Sequence, residues 1–263
     1  MKSIENSLDG KVAIVTGGSR GIGRAITDIF LHAGADVIVC ARTFPENEIS
    51  VSDRKANFIN CDVRKSDEIK KVIEYCKTQY GRLDILVNNA GGAPPADSSS
   101  ASEKFTRSII DLNLIAPIIF SQTAGELMKA SSGTGVIINI SSVSGMRPNP
   151  FGVAYGAAKA GIINVTQTLA LEWGPEIRVV SISAGLILTD ESRIFYGDDN
   201  TVEKIASAIP SGRMGTPQDI ANTCLFVASD SAEWMSGSNI VLDGGGERPT
   251  YLDAVDPLGR LEP

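Results

Sequence analysis

The chain has 263 residues, of which 43% are hydrophobic and 21% are charged, and its net charge is −7. Such a composition supports a substantial buried core and excludes an intrinsically disordered protein. The acidic balance and the lack of any lysine or arginine run argue against nucleic acid or an anionic membrane as the main partner. The polar first residues, and the lack of an apolar stretch of spanning length, predict a cytoplasmic protein with neither a signal peptide nor a membrane anchor.

The cysteines and the single histidine restrict the chemistry further. No two cysteines form a C-x-x-C pair, which predicts small, buried and reduced thiols and no metal site; they are Cys40, Cys61, Cys76 and Cys224. His32 falls at the predicted end of the first helix. Its position argues against a serine–histidine hydrolase and against acid–base catalysis by histidine.

Short apolar runs rich in valine and isoleucine alternate with helical patterns along the chain. Strands are predicted over residues 11–16, 36–41, 56–60, 83–88, 135–141, 177–183 and 239–242. Helices are predicted over residues 22–33, 66–80, 103–130, 154–173 and 217–229. Apolar strands that alternate with helices are typical of a parallel sheet covered on both faces. The sequence therefore predicts one doubly wound, Rossmann-type α/β domain of about seven strands over residues 1–263, with a C-terminal tail from about residue 247.

Two segments depart from this alternation. Residues 43–55 lie where a crossover helix belongs, but Pro45 and the scattered pattern predict that this helix is short or absent. Residues 190–212 are polar and are interrupted by glycine and proline, which predicts a long mobile excursion. We expect this second segment to act as a lid that becomes ordered over bound substrate.

The stretch TGGSRGIG at residues 16–23 places four glycines between a predicted strand and a predicted helix. A helix start offers unpaired N–H groups and the positive end of the helix dipole, and missing side chains let a pyrophosphate approach the backbone. A plain capped turn is the alternative. The position at the first crossover favours a dinucleotide site, because such folds bind dinucleotides there.

A second group of candidates is ISS at residues 140–142, followed by YGAAK at residues 155–159. Tyr155 and Lys159 are four positions apart and share one helical face, while Ser142 ends a strand that opens into the ligand crevice. A nearby ammonium lowers a tyrosine pKa from about 10, and a serine hydroxyl can hold a carbonyl oxygen while the tyrosine moves a proton. The alternative is a helix with an exposed tyrosine and lysine.

Taken together, T-G-x-x-x-G-x-G, NNAG at residues 88–91, the serine and Y-x-x-x-K resemble the short-chain dehydrogenase/reductase family over roughly residues 8–246. The resemblance implies that Tyr155 is the acid/base and that Ser142 polarises the substrate oxygen. It implies that Lys159 lowers the tyrosine pKa and holds the nicotinamide ribose. Asn113 matches the helix asparagine that supports a water-linked proton relay, although it could also be a structural residue of a helix interface.

The resemblance also implies a set of cofactor-binding residues. Asp62 would contact the adenine ring, or else serve only as a turn residue. The stretch ISAGLILT at residues 182–189 resembles the P-G-x-x-x-T loop of the family, with Ala184 in place of the proline. The full implied set is Gly17, Ser19, Arg20, Gly21, Ile22, Gly23, Arg42, Asp62, Val63, Asn89, Ala90, Gly91, Tyr155, Lys159, Gly185, Ile187 and Thr189.

We expect the cofactor to be NADP(H), with NAD(H) as the alternative. Members of this fold that are specific for NAD carry an acidic residue at the end of the second strand, where this chain has Cys40. The resemblance places Arg20 and Arg42 around the ribose 2′ oxygen, where guanidinium groups suit a phosphate.

The predicted function is hydride transfer between NADP(H) and a ketone or secondary alcohol. Mostly apolar residues are candidates for the substrate lining, and no arginine or lysine stands out among them to bind a carboxylate; they are Gly92, Ala93, Pro94, Pro95, Ser144, Met146, Leu186, Phe195 and Tyr196. These candidates favour an apolar substrate. The alternative is a 3-oxoacyl carrier-protein reductase, and a nucleotide-sensing relative without catalysis or a relative with lyase chemistry is less favoured. Long apolar helices over residues 103–130 and 154–173 predict a homotetramer or a homodimer.

Overall fold

A parallel sheet of seven strands forms the centre of the computed structural model, which describes residues 7–247. The nine strands are β1 (Val12–Thr16), β2 (Asp36–Ala41), β3 (Ser50–Val51), β4 (Arg54–Lys55), β5 (Asn57–Asn60), β6 (Ile85–Asn88), β7 (Gly135–Ser142), β8 (Ile177–Ala184) and β9 (Asn239–Leu242). The central sheet has the order β5-β2-β1-β6-β7-β8-β9, and every neighbouring pair is parallel. The predicted doubly wound sheet is confirmed, with the strand order reversing beside β1.

Helices cover both faces of this sheet. They are α1 (Gly21–His32), α2 (Ser66–Tyr80), α3 (Glu103–Ile110), α4 (Ala116–Ser131), α5 (Val153–Trp173), α6 (Arg193–Tyr196), α7 (Asp199–Ala208) and α8 (Pro217–Ala228). Along β1, Ala13 and Val15 belong to a core cluster with α1 and α8, whereas Val12 and Ile14 belong to one with α2 and α4. Because successive side chains of a strand point to opposite faces, each strand contributes to both cores.

The predicted helix over residues 103–130 is present, but a π-helical segment, Asp111–Ile115, separates α3 from α4. By length and composition alone, Glu103–Ser131 could cross a membrane, since its best window has a mean hydropathy of 1.2. The expectation that no stretch reaches that length was therefore wrong. The apolar character has another use here, because Phe120 and Met128 of α4 are buried in the core.

The two irregular segments differ in outcome. Residues 43–55 contain no helix and instead form the hairpin β3–β4, in agreement with the expectation. Residues 190–212 contain α6 and α7, which the sequence analysis did not predict, and the role of this segment as a mobile lid stays a prediction. The side chain of Asp198 caps α7 by accepting a hydrogen bond from the Thr201 backbone N–H at 2.9 Å. Most of the predicted tail, residues 248–263, lies outside the described residues.

Candidate active site

The glycine loop between β1 and α1 is packed so closely that it requires bare backbone. A Cβ added at Gly23 would overlap the carbonyl oxygen of Gly17 and lie 2.5 Å from Nδ2 of Asn89. Gly17 has a φ of +65°, a conformation that favours glycine. Its N–H donates to the carbonyl of Cys40 at 2.7 Å, which joins the loop to the end of β2. Ser19, Gly21 and Ile22 complete the loop, all half-buried.

Side chains from β1 and β6 hold the loop open towards a ligand. Thr16 Oγ1 accepts the N–H groups of Asn89 and Ala90, each at 2.9 Å, and Asn89 Nδ2 donates to the Thr16 carbonyl at 2.9 Å. The first turn of α1 has no acidic residue, and its N-cap residue, Arg20, makes no side-chain capping bond. The start of α1 is therefore suited to the phosphates of a dinucleotide.

The predicted ribose-side residues lie at the end of β2 and at the start of α1. Arg42 is exposed, whereas Cys40 is fully buried, and a hydrogen bond with Cys61 and burial together raise the pKa of the Cys40 thiol. Cys40 is thus neutral and withdrawn into the core. Arg20 is exposed, and its Nε lies 3.3 Å from a carboxylate oxygen of Glu191, a residue that the sequence analysis did not single out.

Asp62 follows β5 and takes part in a local turn. Its carboxylate accepts hydrogen bonds from the Arg64 side chain and from the Arg64 backbone N–H, which lowers the pKa of Asp62. Its own N–H donates to Glu68 at 2.7 Å, and Val63 beside it is buried. The turn interpretation is therefore realised in the structure, and contact with an adenine ring stays a prediction.

Ser142 and Tyr155 are brought together by a turn that packs on α5. Ser142 is close enough to the Tyr155 hydroxyl to act on the pKa of that group, and the Ser142 Oγ accepts the Ser144 N–H at 3.1 Å. The turn approaches the helix backbone through two glycines. A Cβ at Gly145 would lie 2.6 Å from the backbone N of residue 160, and one at Gly156 would lie 2.9 Å from the Ser144 carbonyl oxygen. Close contact between main chains thus fixes the distance between the two hydroxyls.

Lys159 lies four positions after Tyr155 in α5 and is 5% exposed. Its Nζ donates to the carbonyl of Ile140 at 2.8 Å and lies 5.5 Å from the ring centroid of Tyr155. Burial lowers the pKa of Lys159 to about 8. A Cβ at Gly91 would lie 3.2 Å from this Nζ and 2.7 Å from Oδ1 of Asn113, so Gly91 keeps the approach to both groups clear.

The pKa of Tyr155 is raised from its ordinary value, chiefly by burial, while the hydrogen bond with Ser142 opposes the shift and Tyr196 adds to it. The resemblance had implied that Lys159 lowers this pKa. In the structure the cost of burying charge dominates, and the ammonium is directed to the Ile140 carbonyl. The phenol therefore holds its proton near neutral pH, in the form that can donate to a carbonyl oxygen.

Asn113 is fully buried in the π-helical segment, and its side chain forms hydrogen bonds with the loop at Gly92. Its Oδ1 accepts the Gly92 N–H at 2.8 Å, while its Nδ2 donates to the carbonyls of Gly92 and Ile109 at 3.0 and 2.9 Å. The side chain thus positions the loop that follows Gly91. No spacing in the sequence indicated the π-helical turn, and the part of Asn113 in a proton relay stays a prediction.

The loop after β8 carries the remaining predicted cofactor residues. The Gly185 N–H donates to the Leu242 carbonyl at 2.8 Å, and Ile187 is buried. Thr189 and Ser192 exchange hydrogen bonds, from each backbone N–H to the other's hydroxyl, at 2.7 and 3.0 Å. Ala184, which replaces the family's proline, continues β8 in register with both neighbouring strands.

A cavity of about 280 Å³ is lined by the turn after β7 and the loop after β8. Its wall is mostly apolar and includes two of the predicted lining residues, Met146 and Leu186. Within residues 7–247, the other predicted lining residues lie outside this cavity: Gly92, Ala93, Pro94, Pro95, Ser144, Phe195 and Tyr196. Burial, and after it the charge of Glu247, raise the pKa of Tyr196.

Arg147 also lines this cavity, together with Glu247, with which it forms an ion pair. The sequence analysis did not select Arg147, although it follows directly after the lining candidate Met146 in the stretch SGMRPN. Across residues 7–247, no group of three or more histidine, cysteine or acidic residues could hold a metal ion.

Comparisons with known proteins agree with this geometry. A family model described as enoyl-(acyl carrier protein) reductase matches residues 17–247. A 3-oxoacyl-[acyl-carrier-protein] reductase of Chlamydia trachomatis is 37% identical over 250 residues, which cover 90% of this chain and 98% of that protein. The chain belongs to the short-chain dehydrogenase/reductase family.

Other members of the short-chain dehydrogenase/reductase family are similar over nearly the whole chain. An NAD-dependent glycerol dehydrogenase of Listeria innocua is 33% identical, covering 91% of this chain and 94% of its own. The ligand-free structure of an aldohexose dehydrogenase from Thermoplasma acidophilum has a TM-score of 0.85 and 31% identity, covering 98% of this chain and 99% of that one. The protein is thus an oxidoreductase that acts on CH–OH and C=O groups with a nicotinamide nucleotide.

Proposed function

We propose that the protein interconverts a compact, largely apolar ketone and its secondary alcohol with NADP(H). The closeness of Ser142 to the Tyr155 hydroxyl, with the Lys159 ammonium over the tyrosine ring, is the observation that carries this proposal. Two neighbouring hydroxyl groups can both donate to one carbonyl oxygen. The mostly apolar cavity next to the turn after β7 supports a substrate that is mostly hydrocarbon around its carbonyl.

In the direction of reduction, the Ser142 and Tyr155 hydroxyls bind the carbonyl oxygen, and Tyr155 gives its proton to that oxygen. The bound nicotinamide supplies the hydride that reaches the carbonyl carbon. Lys159 holds the tyrosine from below, and Asn113 keeps the loop after Gly91 in place. In the reverse direction Tyr155 must first lose its proton, so the two directions differ in their dependence on pH.

The exposed guanidinium groups of Arg20 and Arg42, together with the neutral Cys40, support NADP(H) over NAD(H). A hydrogen bond to a charged group contributes about 1.5–3 kcal/mol, so two such bonds are enough to set the preference. The glycerol dehydrogenase relative is named for NAD, which makes NAD(H) the alternative to test.

The test is the rate of nicotinamide absorbance change with a panel of ketones and alcohols, in NADP(H) and in NAD(H). We expect a higher kcat/KM with NADP(H), and a shift towards NAD(H) in Arg42→Asp. Lys71→Asp makes the same change of charge on the exposed side of α2 and should leave the ratio unchanged. A wild type that prefers NAD(H) would contradict the cofactor assignment.

A second candidate function is reduction of 3-oxoacyl groups on carrier protein. The similarity to the Chlamydia trachomatis reductase favours this alternative. Equal amounts of acetoacetyl carrier protein and of a small free ketone separate the two functions. A kcat/KM at least tenfold higher for the carrier-bound substrate would favour the second candidate.

We also propose a homotetramer, or else a homodimer, acting in the cytoplasm. The outer side of α5 exposes Val153 and Leu171, the latter 87% accessible, and Trp234 is fully exposed. Apolar side chains of this size favour burial in an interface. The four buried, free cysteines suit a reducing compartment. Sedimentation velocity at micromolar concentration tests the assembly, and a monomer there would contradict it.

A further inference from the structure

Most residues that line the cavity next to the turn after β7 are apolar, among them Val143, Met146 and Leu186. The charged residues of the lining are Arg147, Asp243 and Glu247. Within residues 7–247, Arg147 is the one basic side chain of this lining. A permanently charged group in the wall of a small, mostly apolar cavity is a specificity feature, because it restricts which polar group a ligand can carry there.

Arg147 has unused hydrogen-bonding capacity. Its guanidinium carries five N–H donors. Among residues 7–247, the recorded side-chain bond of Arg147 is from Nη2 to Glu247 Oε1, a single-atom contact rather than a paired one. The remaining N–H groups can donate to a second carboxylate, and a carboxylate that binds through two oxygens matches the planar geometry of the guanidinium.

The position of Arg147 is fixed relative to the reacting hydroxyls. The N–H groups of Met146 and Arg147 donate to the carbonyl of Val143 at 2.9 and 3.2 Å, so one turn carries both Ser142 and Arg147. Ser142 and Arg147 therefore belong to one short turn, and the same turn contributes Val143 and Met146 to the cavity wall.

The two carboxylates in the lining are both engaged. Asp243 accepts the Gly245 N–H at 3.1 Å, and Glu247 is paired with Arg147. A cationic ligand would have to approach the guanidinium, which is charged at every working pH. An anionic ligand can share Arg147 with Glu247 or displace it.

We propose that Arg147 is a specificity-determining residue that binds a carboxylate of the substrate, apart from the reacting carbon. The substrate class is then a small keto acid, or the corresponding hydroxy acid, with a short apolar segment between its two functional groups. This inference rests on the proposed reductase function, which it narrows. A cavity of about 280 Å³ holds a molecule of this size.

The experiment compares keto acids with their methyl esters and with amines on the same carbon skeleton. For wild type we expect a kcat/KM at least tenfold higher for the acid than for the ester. In Arg147→Met the acid should lose about 10- to 100-fold, mainly through KM, while the ester changes less than threefold. Arg147→Lys should keep part of the preference, since it keeps the charge but not the planar donors. Arg107→Met, which removes a guanidinium from an exposed ion pair with Glu103, is the control.

Glu247→Gln gives an independent check, because it removes the competing carboxylate and should raise kcat/KM for the acid several-fold. Equal losses for acid and ester in Arg147→Met would overturn the proposal, since they would assign Arg147 to anchoring the segment at Glu247. A preference for the amine would also overturn it. If no compound is turned over with either nucleotide, the reductase function fails. Calorimetric binding of the acid that is lost in Arg147→Met would then still support the carboxylate site, and its absence would overturn that too.

Discussion

The two halves of the site are built in different ways. In the glycine loop, main chain packs against main chain, so that a Cβ at Gly23 would overlap the Gly17 carbonyl. On the substrate side, Arg147, Leu186 and Glu247 come from three separate segments and meet through side chains. Where two main-chain segments pack closely, glycine is required, and the glycines form a pattern that is visible in the sequence. A contact between side chains that are far apart in the sequence produces no such pattern. The ion pair between Arg147 and Glu247 is therefore visible only in the structure.

The largest effect on activity is expected from a change at Tyr155, between the glycine loop and the substrate side. Tyr155→Phe removes the hydroxyl that exchanges the proton, and general acid–base catalysis contributes about 10²- to 10⁴-fold. We expect kcat to fall by that factor while the Kd of the nucleotide changes little, measured by turnover and by calorimetry. Tyr196→Phe, the neighbouring phenol, is the control and should lose less than tenfold. Near-normal turnover of Tyr155→Phe would exclude the mechanism.

The direction of the reaction should determine its response to pH. Because burial raises the pKa of Tyr155, the phenol stays protonated through neutral pH, and reduction needs that form. Oxidation needs the ionised form of Tyr155. While the pH is below the pKa, the ionised fraction grows about tenfold for each unit by which the pH rises. We expect kcat/KM for the alcohol to rise by about 100-fold between pH 6.5 and 8.5, while the Tyr155 proton does not limit ketone reduction there. A flat oxidation profile would show that Tyr155 ionises earlier.

Most of the fold could be predicted because the spacing of apolar residues shows which faces of a strand or helix are buried. Strand and helix limits agree within two residues, from β1 to α8. The π-helical segment around Asn113 and the helix α7 were missed, since neither follows from apolar spacing. Asn113 is held by bonds to a loop some twenty residues away in sequence, and such a partner is visible only after folding.

Within the site, the relative positions of residues could be predicted where those residues are close together in the sequence. Ser142, Tyr155 and Lys159 are close together as expected, because the turn and α5 lie next to each other in the chain. The direction of the Tyr155 pKa shift was not predicted, since it depends on how deeply the phenol is buried. Arg147 stood beside a residue that was selected, but its pairing with Glu247 spans a hundred positions.

A third experiment tests whether the glycine loop depends on close packing. Gly23→Ala forces its Cβ against the Gly17 carbonyl and Asn89 Nδ2, and overpacking costs about 1–3 kcal/mol. We expect the free energy of unfolding to fall by that amount and the Kd of the nucleotide to rise at least tenfold. Gly81→Ala also adds a methyl group, at a positive φ but with nothing within 4 Å, and it should leave the Kd unchanged. Equal Kd values for the two variants would mean that the loop tolerates a side chain.

The smallest effect concerns Glu191, where the segment after β8 meets the glycine loop. Its carboxylate pairs with Arg20 and lies 3.5 Å from the position of a Cβ at Gly21, at the start of α1. The phosphates of a dinucleotide bring negative charge to the same place. They therefore compete with the Glu191 carboxylate for Arg20 and for the start of α1. An exposed charge near a helix terminus contributes about 0.3–1 kcal/mol, which corresponds to a change in Kd of about two- to fivefold. We therefore expect Glu191→Gln to bind NADP(H) that much more tightly, by calorimetry at low salt, with the gain shrinking as ionic strength rises. Glu203→Gln removes the same charge from the exposed part of α7 and should have no such effect. Weaker binding by Glu191→Gln would mean that the carboxylate itself holds the nucleotide.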